Sequence, residues 1–161
     1  MQKRYNLNNA IILNTTGQKY DAIAVQVNAA EIKKHSHQFE YFDFIRLIND
    51  GYTVYKICRH NEENIFQGMV AVKPSTAFLD CANMETNNFN KRPISLYGNV
   101  GKCIVALCCK ISMDAGFGGY IAFYAKNELF GYYERLGAKH LFGLRMYIDE
   151  KAAQKLIDFY F

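Results

Sequence analysis

The sequence has no apolar run long enough to cross a bilayer. Its longest strictly apolar stretch, Cys103 to Cys109, falls far short of the roughly 20 residues that a membrane helix needs. The first residues, Met1 to Asn9, also lack the long apolar stretch of a signal peptide. We therefore expect a cytoplasmic protein that has no membrane partner.

Cysteine pairs at metal-binding or redox spacing are also missing. The five cysteines are odd in number, form no Cys-x-x-Cys pair and alternate with aliphatic residues, which is typical of reduced thiols in a core. Zinc would need a second pair of ligands at metal-binding spacing, which the four histidines do not provide, and His35 and His37 are predicted to lie in a solvated turn. We expect no metal site.

Charge of either sign is modest and dispersed. The formal net charge is +4, and the lysines do not concentrate into the basic stripe of a nucleic-acid-binding protein. We therefore expect no nucleic-acid partner. The mild positive balance still favours the approach of a small polyanionic ligand.

The apolar content suits one core, and its periodicity predicts the order of the elements. The chain has 161 residues, 50% of them hydrophobic, which predicts a single domain over 1–161. Strands are predicted at 20–27, 52–59, 65–72, 77–84 and 120–125, with one or two more within 139–148. Helices are predicted at 39–48, 100–114, 127–136 and 150–159, with a loop at 85–95. This order predicts an α/β domain with a mixed, partly antiparallel sheet.

The most informative segment is LYGNVGK, Leu96 to Lys102, between a predicted strand and a predicted helix. Gly98 and Gly101 let the backbone approach an anion closely, and the amide groups and dipole of the helix start favour a phosphate. The segment is not a Walker A loop, because Leu96 stands where the first glycine belongs and Cys103 where Ser or Thr belongs.

Three stretches at and after this loop strengthen the evidence for a phosphate-binding role: VGKCIVALCCKIS at 100–112, GFGGYIAFYAK at 116–126 and YYERLGA at 132–138. Together they resemble the GNAT superfamily of acyl-CoA N-acyltransferases, over roughly residues 65–148. The resemblance implies a GNAT-like fold, with a mixed, largely antiparallel central sheet flanked by helices. It also implies acetyl-CoA as cosubstrate and no metal.

The resemblance assigns a cofactor role to one segment and to one further residue. The pyrophosphate-binding amides would be those of Val100, Gly101 and Lys102, with Gly98 and Asn99 beside them. The family's loop reads Q/R-x-x-G-x-G/A, and this sequence departs from it at Leu96 and at Asn99. Asn127 would touch the cofactor, although a helix cap is an ordinary alternative for it.

The resemblance also suggests catalytic residues. Tyr133 matches the tyrosine of the family's F-Y-x-x-x-G-F pattern, and its phenol would protonate the departing thiolate. An ordinary core position is the alternative, since the chain has 12 tyrosines. Glu85, preferred over Asp80, would be the general base. The strand that ends there would splay from its neighbour, so that unpaired backbone groups between Asp80 and Met84 hold the pantetheine arm.

Three functions stay open at this stage. The first is direct acetyl transfer to a small-molecule or peptide amine, and the second is a module that binds acyl-CoA without catalysis. The third is an enzyme with Cys81 as nucleophile, which lacks a local histidine signature. The acceptor pocket would draw on a set of aromatic residues: Tyr41, Phe42, Phe44, Phe142 and Tyr147. The resemblance also suggests a homodimer through the carboxy-terminal strands.

Overall fold

A computed structural model describes residues 3–161 as a nine-stranded sheet with helices on both faces. The strands are β1 (Arg4–Leu13), β2 (Lys19–Val27), β3 (Thr53–Arg59), β4 (Gly68–Pro74), β5 (Leu79–Thr86), β6 (Tyr97–Gly98), β7 (Ile121–Tyr124), β8 (Lys139–Phe142) and β9 (Arg145–Ile148). The α-helices are α1 (Ala29–His35), α2 (Phe44–Asn49), α3 (Val100–Asp114), α4 (Phe130–Arg135) and α5 (Glu150–Tyr160).

The strands lie in the order β6-β1-β2-β3-β4-β5-β7-β9-β8. Every neighbouring pair is antiparallel except β5 and β7, which are parallel. The predicted fold class, a mixed and largely antiparallel sheet flanked by helices, is therefore confirmed. The parallel pair lies where α3 connects β5 to β7, as a crossover between parallel strands requires.

Both faces of the sheet are buried, because alternate residues of a strand enter different apolar clusters. On β3, Tyr55 and Ile57 join the cluster that contains α3 and α5. Val54 and Cys58 join the cluster that contains Ile32 of α1 and residues of α2. Helix α3, which follows the predicted cofactor loop, thus packs against both the sheet and α5.

The carboxy-terminal half follows the sequence-based prediction closely, and the amino-terminal half departs from it. The predicted helix at 100–114 coincides with α3, whereas the helix predicted at 39–48 is wrong over its first half and covers only Phe44–Asn49. The solvated turn predicted around His35 is wrong in part, since α1 includes His35 and Asn28 caps the start of α1 by accepting the Glu31 amide. β1 was not predicted.

No helix within residues 3–161 is both long and apolar enough to span a membrane. The longest, α3, ends at Asp114.

Candidate cofactor and catalytic site

The central opening of the sheet lies between β5 and β7, which pair only at their starts. Leu79 pairs with Ile121 and Asp80 with Ala122, and beyond that point β5 pairs only with β4. A β-bulge at Ala82 distorts β5 where the two strands separate. Within the described chain, one edge of β5 after Asp80 therefore has no strand partner, and its backbone groups can bind an extended ligand.

The first turn of α3 is an uncapped helix start. Asn99 occupies the N-cap position with no side-chain hydrogen bond to the turn. The amide groups of Val100, Gly101 and Lys102 have no acceptor among residues 3–161, and the first helical hydrogen bond runs from Cys103 to Asn99. Three successive donors at the positive end of a 15-residue helix can bind an anion.

Asn99 adopts a left-handed backbone conformation, with φ 70 and ψ 2. Glycine reaches this region most easily, and asparagine is among the few other residues that tolerate it. This explains how Asn99 stands where the GNAT loop pattern has glycine. Its side chain donates to the Ala10 carbonyl at 2.7 Å and to the Tyr160 hydroxyl at 2.6 Å, so it anchors the turn to β1 and α5.

A cationic cleft of about 510 Å³ lies beside the start of α3, bounded by α4 and α5. Its lining has five basic side chains and two acidic ones: Lys102, Arg135, Lys139, Lys151 and Lys155 against Glu134 and Asp149. Lys139 and Asp149 pair with each other at 2.8 Å, which leaves the other groups with a positive excess. Only Lys102 was predicted from the sequence, because the packing of α4, β8 and α5 brings the other cations together.

Two adjacent tyrosines of α4 approach α3. A Cβ atom added at Gly101 would lie 3.0 Å from the Tyr132 hydroxyl, so Tyr132 borders the uncapped turn. Tyr132 was not predicted from the sequence. Tyr133 packs its ring 4.8 Å from that of Phe123 on β7. Burial raises the pKa of Tyr133 to about 12, so the phenol keeps its proton at neutral pH.

Glu85 lies at the end of β5, and its carboxylate is enclosed by donors. It accepts the backbone amides of Glu40, Tyr41 and Phe42 at 2.8 to 3.2 Å, and it pairs with the Lys91 ammonium. These contacts favour a positioning role, and its use as general base stays a prediction. The alternative base, Asp80, accepts the Tyr52 hydroxyl at 2.9 Å and Arg145 at 3.2 Å.

The other predicted site residues lie in different places. Asn127 is exposed at the start of a 3₁₀ turn before α4 and does not cap that helix, so its cofactor contact stays a prediction. Tyr41, Phe42 and Phe44 line a cavity of about 370 Å³ between α1 and α2. The strands β8 and β9, which carry Phe142 and Tyr147, do not contribute to that cavity.

The cysteines do not form a reactive or metal-binding centre in the described chain. Cys81 is buried, and burial raises its pKa well above that of an ordinary thiol, which opposes a role as nucleophile. Residues 3–161 bring together no group of three side chains suited to a metal ion.

No protein-family model and no curated protein sequence matches this chain. Solved structures do match the fold. The ribosomal-protein-S18-alanine N-acetyltransferase from Escherichia coli is 10% identical with a TM-score of 0.59, over 79% of this chain and 92% of that one. AtaTR bound with AcCoA is 14% identical with a TM-score of 0.56, over 83% and 97%. The fold is therefore GNAT-like, as the sequence motifs predict.

The prediction that excluded nucleic-acid partners is wrong. A further structure with the same fold is the AtaT-AtaR complex bound to DNA, 18% identical with a TM-score of 0.55 over 70% of this chain and 77% of that one. Dispersed lysines in the sequence therefore do not exclude such partners for this fold. The cleft beside α3 shows how dispersed lysines can converge in space.

Proposed function

We propose that the chain is an acetyl-CoA-dependent N-acetyltransferase that passes the acetyl group directly to an amine in a ternary complex. The observation that carries the proposal is the uncapped first turn of α3, whose three free amides adjoin a cationic cleft. Solved structures of the same fold include an N-acetyltransferase and a complex with AcCoA, which supports this choice of ligand.

The chain offers a complementary group for each part of the cofactor. The amides of Val100, Gly101 and Lys102 would bind the diphosphate, and the basic side chains of the cleft would offset its charge. The open edge of β5 beyond Asp80 would hydrogen-bond the pantetheine amides. Acetyl-CoA supplies an activated thioester to this opening.

Tyr133 is the proposed acid. As the amine nitrogen bonds to the acetyl carbon and the carbon–sulfur bond breaks, the phenol gives its proton to sulfur. The amine gives up its proton to water in the opening, and the tyrosinate takes a proton back from that water, which restores the phenol. Because burial raises the pKa of Tyr133, the phenol is protonated at neutral pH and can donate its proton as the thiolate forms. This suits a general acid better than a general base.

The acceptor amine is proposed to enter by the cavity between α1 and α2. Tyr41 and Phe42 lie on its wall, and Asp43 and Glu40 add two carboxylates, of which Glu40 lies 3.6 Å from the Lys91 ammonium. This cavity adjoins the loop that Glu85 holds at the end of β5. Its aromatic and acidic lining fits an organic amine.

Binding of acetyl-CoA without catalysis is the second candidate function. The observation that favours it is that donors of the protein surround Glu85. Its carboxylate oxygens then have no free lone pair to take a proton from the amine that would receive the acetyl group. The two candidates differ in one measurable respect, the release of free thiol in the presence of an amine.

The decisive experiment is a thiol-release assay with acetyl-CoA and a panel of small amines and peptides. Tyr133→Phe should lower kcat by about 100-fold or more, since general acid catalysis typically contributes 10²–10⁴-fold. The matched control is Tyr124→Phe, because Tyr124 is 64% exposed on β7. Calorimetry should show unchanged acetyl-CoA affinity for both variants.

Each other outcome has a defined meaning. An unchanged rate in Tyr133→Phe would remove the proposed acid. No thiol release from the wild type, together with an acetyl-CoA-dependent rise in Tm, would select the binding module. If acetyl-CoA neither binds nor raises Tm, the cofactor site itself is contradicted.

A further inference from the structure

Glu85 is the buried centre of a hydrogen-bond cluster that joins two loops. Its side chain is 1% exposed. The carboxylate accepts the amides of Glu40 at 2.8 Å, Tyr41 at 3.1 and 3.2 Å, and Phe42 at 3.1 Å. Burying a carboxylate is unfavourable unless hydrogen-bond donors compensate for the lost water, and here three of the donors are successive backbone amides of loop 39–43.

Lys91 connects this cluster to the loop 87–99. Its ammonium pairs with Glu85, donates to Asn88 Oδ1 at 2.8 Å, and lies 3.6 Å from the Glu40 carboxylate. It also lies 4.0 Å from the centre of the Tyr41 ring, in cation–π contact. One cation therefore contacts both loops, and its own side chain is only 16% exposed.

The two loops belong to the two sides of the proposed site. Loop 39–43 leads into α2 and forms the wall of the cavity between α1 and α2. Loop 87–99, which includes the two-residue strand β6, leads from β5 to the uncapped turn of α3. The Glu85–Lys91 pair lies at the point where these loops meet.

We infer that Glu85 is a positioning residue: paired with Lys91, it fixes loop 39–43 against the end of β5 and so shapes the acceptor cavity. The identity of the cavity's ligand rests on the proposed function, whereas the loop contact does not. The carboxylate acts through the backbone of Glu40, Tyr41 and Phe42. Its effect therefore falls on acceptor binding more than on the chemical step.

Glu85→Gln tests this inference with little change of size. An amide nitrogen replaces one acceptor oxygen and faces the same donors, so at least one hydrogen bond to loop 39–43 is lost. Hydrogen exchange of the amides at 40–42 should become about 10-fold to 100-fold faster, as expected from the loss of a hydrogen bond to a charged group. The matched control is Glu63→Gln, a half-buried carboxylate that pairs with Arg4 far from loop 39–43 in the sequence.

The kinetic readout separates positioning from proton abstraction. A positioning residue raises the acceptor KM by about 10-fold and leaves kcat and acetyl-CoA affinity within a few-fold. Loss of a general base would lower kcat by about 100-fold or more at unchanged KM and would remove the acidic limb of the pH profile. That second pattern would overturn the inference.

Hydrogen exchange keeps the inference testable if no acceptor is turned over, an outcome that counts against the proposed function alone. Unchanged exchange at 40–42 in Glu85→Gln would overturn the positioning role whatever the activity. Lys91→Gln is the second variant, should Glu85→Gln fail to fold. It should also accelerate exchange at 40–42, and unchanged exchange there would overturn the part assigned to the pair.

Discussion

The polar groups at the two ends of loop 87–99 differ in whether they have hydrogen-bond partners within the protein. Before the loop, the Glu85 carboxylate has three amides and one ammonium as donors. After it, the amides of Val100, Gly101 and Lys102 have no acceptor in residues 3–161. Polar groups that are hydrogen-bonded within the protein stabilise its fold, whereas groups without a partner in the protein are available to bind a ligand. The difference distinguishes an anchor from the proposed binding site.

The largest effect on this contrast is expected from Gly101→Asp. It would place a carboxylate at the free amides of Val100, Gly101 and Lys102, which we call the open end of the loop; the end at Glu85 is the anchored end. An acidic residue in the first turn stabilises a helix, so the variant should fold with an unchanged or raised Tm. Its carboxylate would compete for the free amides and repel phosphates, and the acetyl-CoA Kd should rise about 100-fold by calorimetry. The added Cβ, 3.0 Å from the Tyr132 hydroxyl, requires only a small shift of that side chain.

The control for this change is Gly143→Asp in the turn between β8 and β9, where nothing lies within 4 Å of an added Cβ and the φ of 54 is one that Asp tolerates. This variant adds the same charge away from the first turn of α3. An acetyl-CoA Kd that stays within threefold of wild type in Gly101→Asp would contradict the anion site at α3.

Much of the open end could be predicted from the sequence because its signals are local. The apolar spacing after Val100 gives the bounds of α3, and the short apolar run at 120–125 contains β7. The role of Asn99 was less accessible, since its left-handed conformation appears only in the structure. The cations of the cleft were missed because α4 and α5 bring them together from separate parts of the chain.

The anchored end could not be predicted for the opposite reason. Aromatic and aliphatic residues from Phe39 onward have helical spacing, but the amides of Glu40, Tyr41 and Phe42 bind a carboxylate 43 to 45 residues further along the chain. Groups engaged in this way cannot make helical hydrogen bonds, so α2 begins only at Phe44, after the cap Asp43. A long-range contact here overrides a local pattern.

Asn99 combines both features, because its side chain has hydrogen-bond partners in the protein while the backbone amides that follow it have none in residues 3–161. Asn99→Ala and Asn99→Gly both lose the hydrogen bonds to Ala10 and Tyr160. Only alanine also strains the backbone at φ 70, so Asn99→Ala should be less stable than Asn99→Gly by about 1 kcal/mol. Chemical denaturation measures this difference, and equal stability of the two variants would argue against the left-handed turn.

The smallest expected effect concerns the cleft beside the open end. Lys155 is exposed and lines that cleft, so its charge should act on a bound phosphate mainly through solvent. Lys155→Gln should raise the acetyl-CoA Kd by about threefold at low ionic strength, and the effect should vanish near 0.5 M salt because screening removes long-range attraction. Lys33→Gln, on the exposed surface of α1, is the control for net charge. If Lys33→Gln weakened binding as much as Lys155→Gln, the attraction would belong to the charge of the whole molecule and not to the cleft.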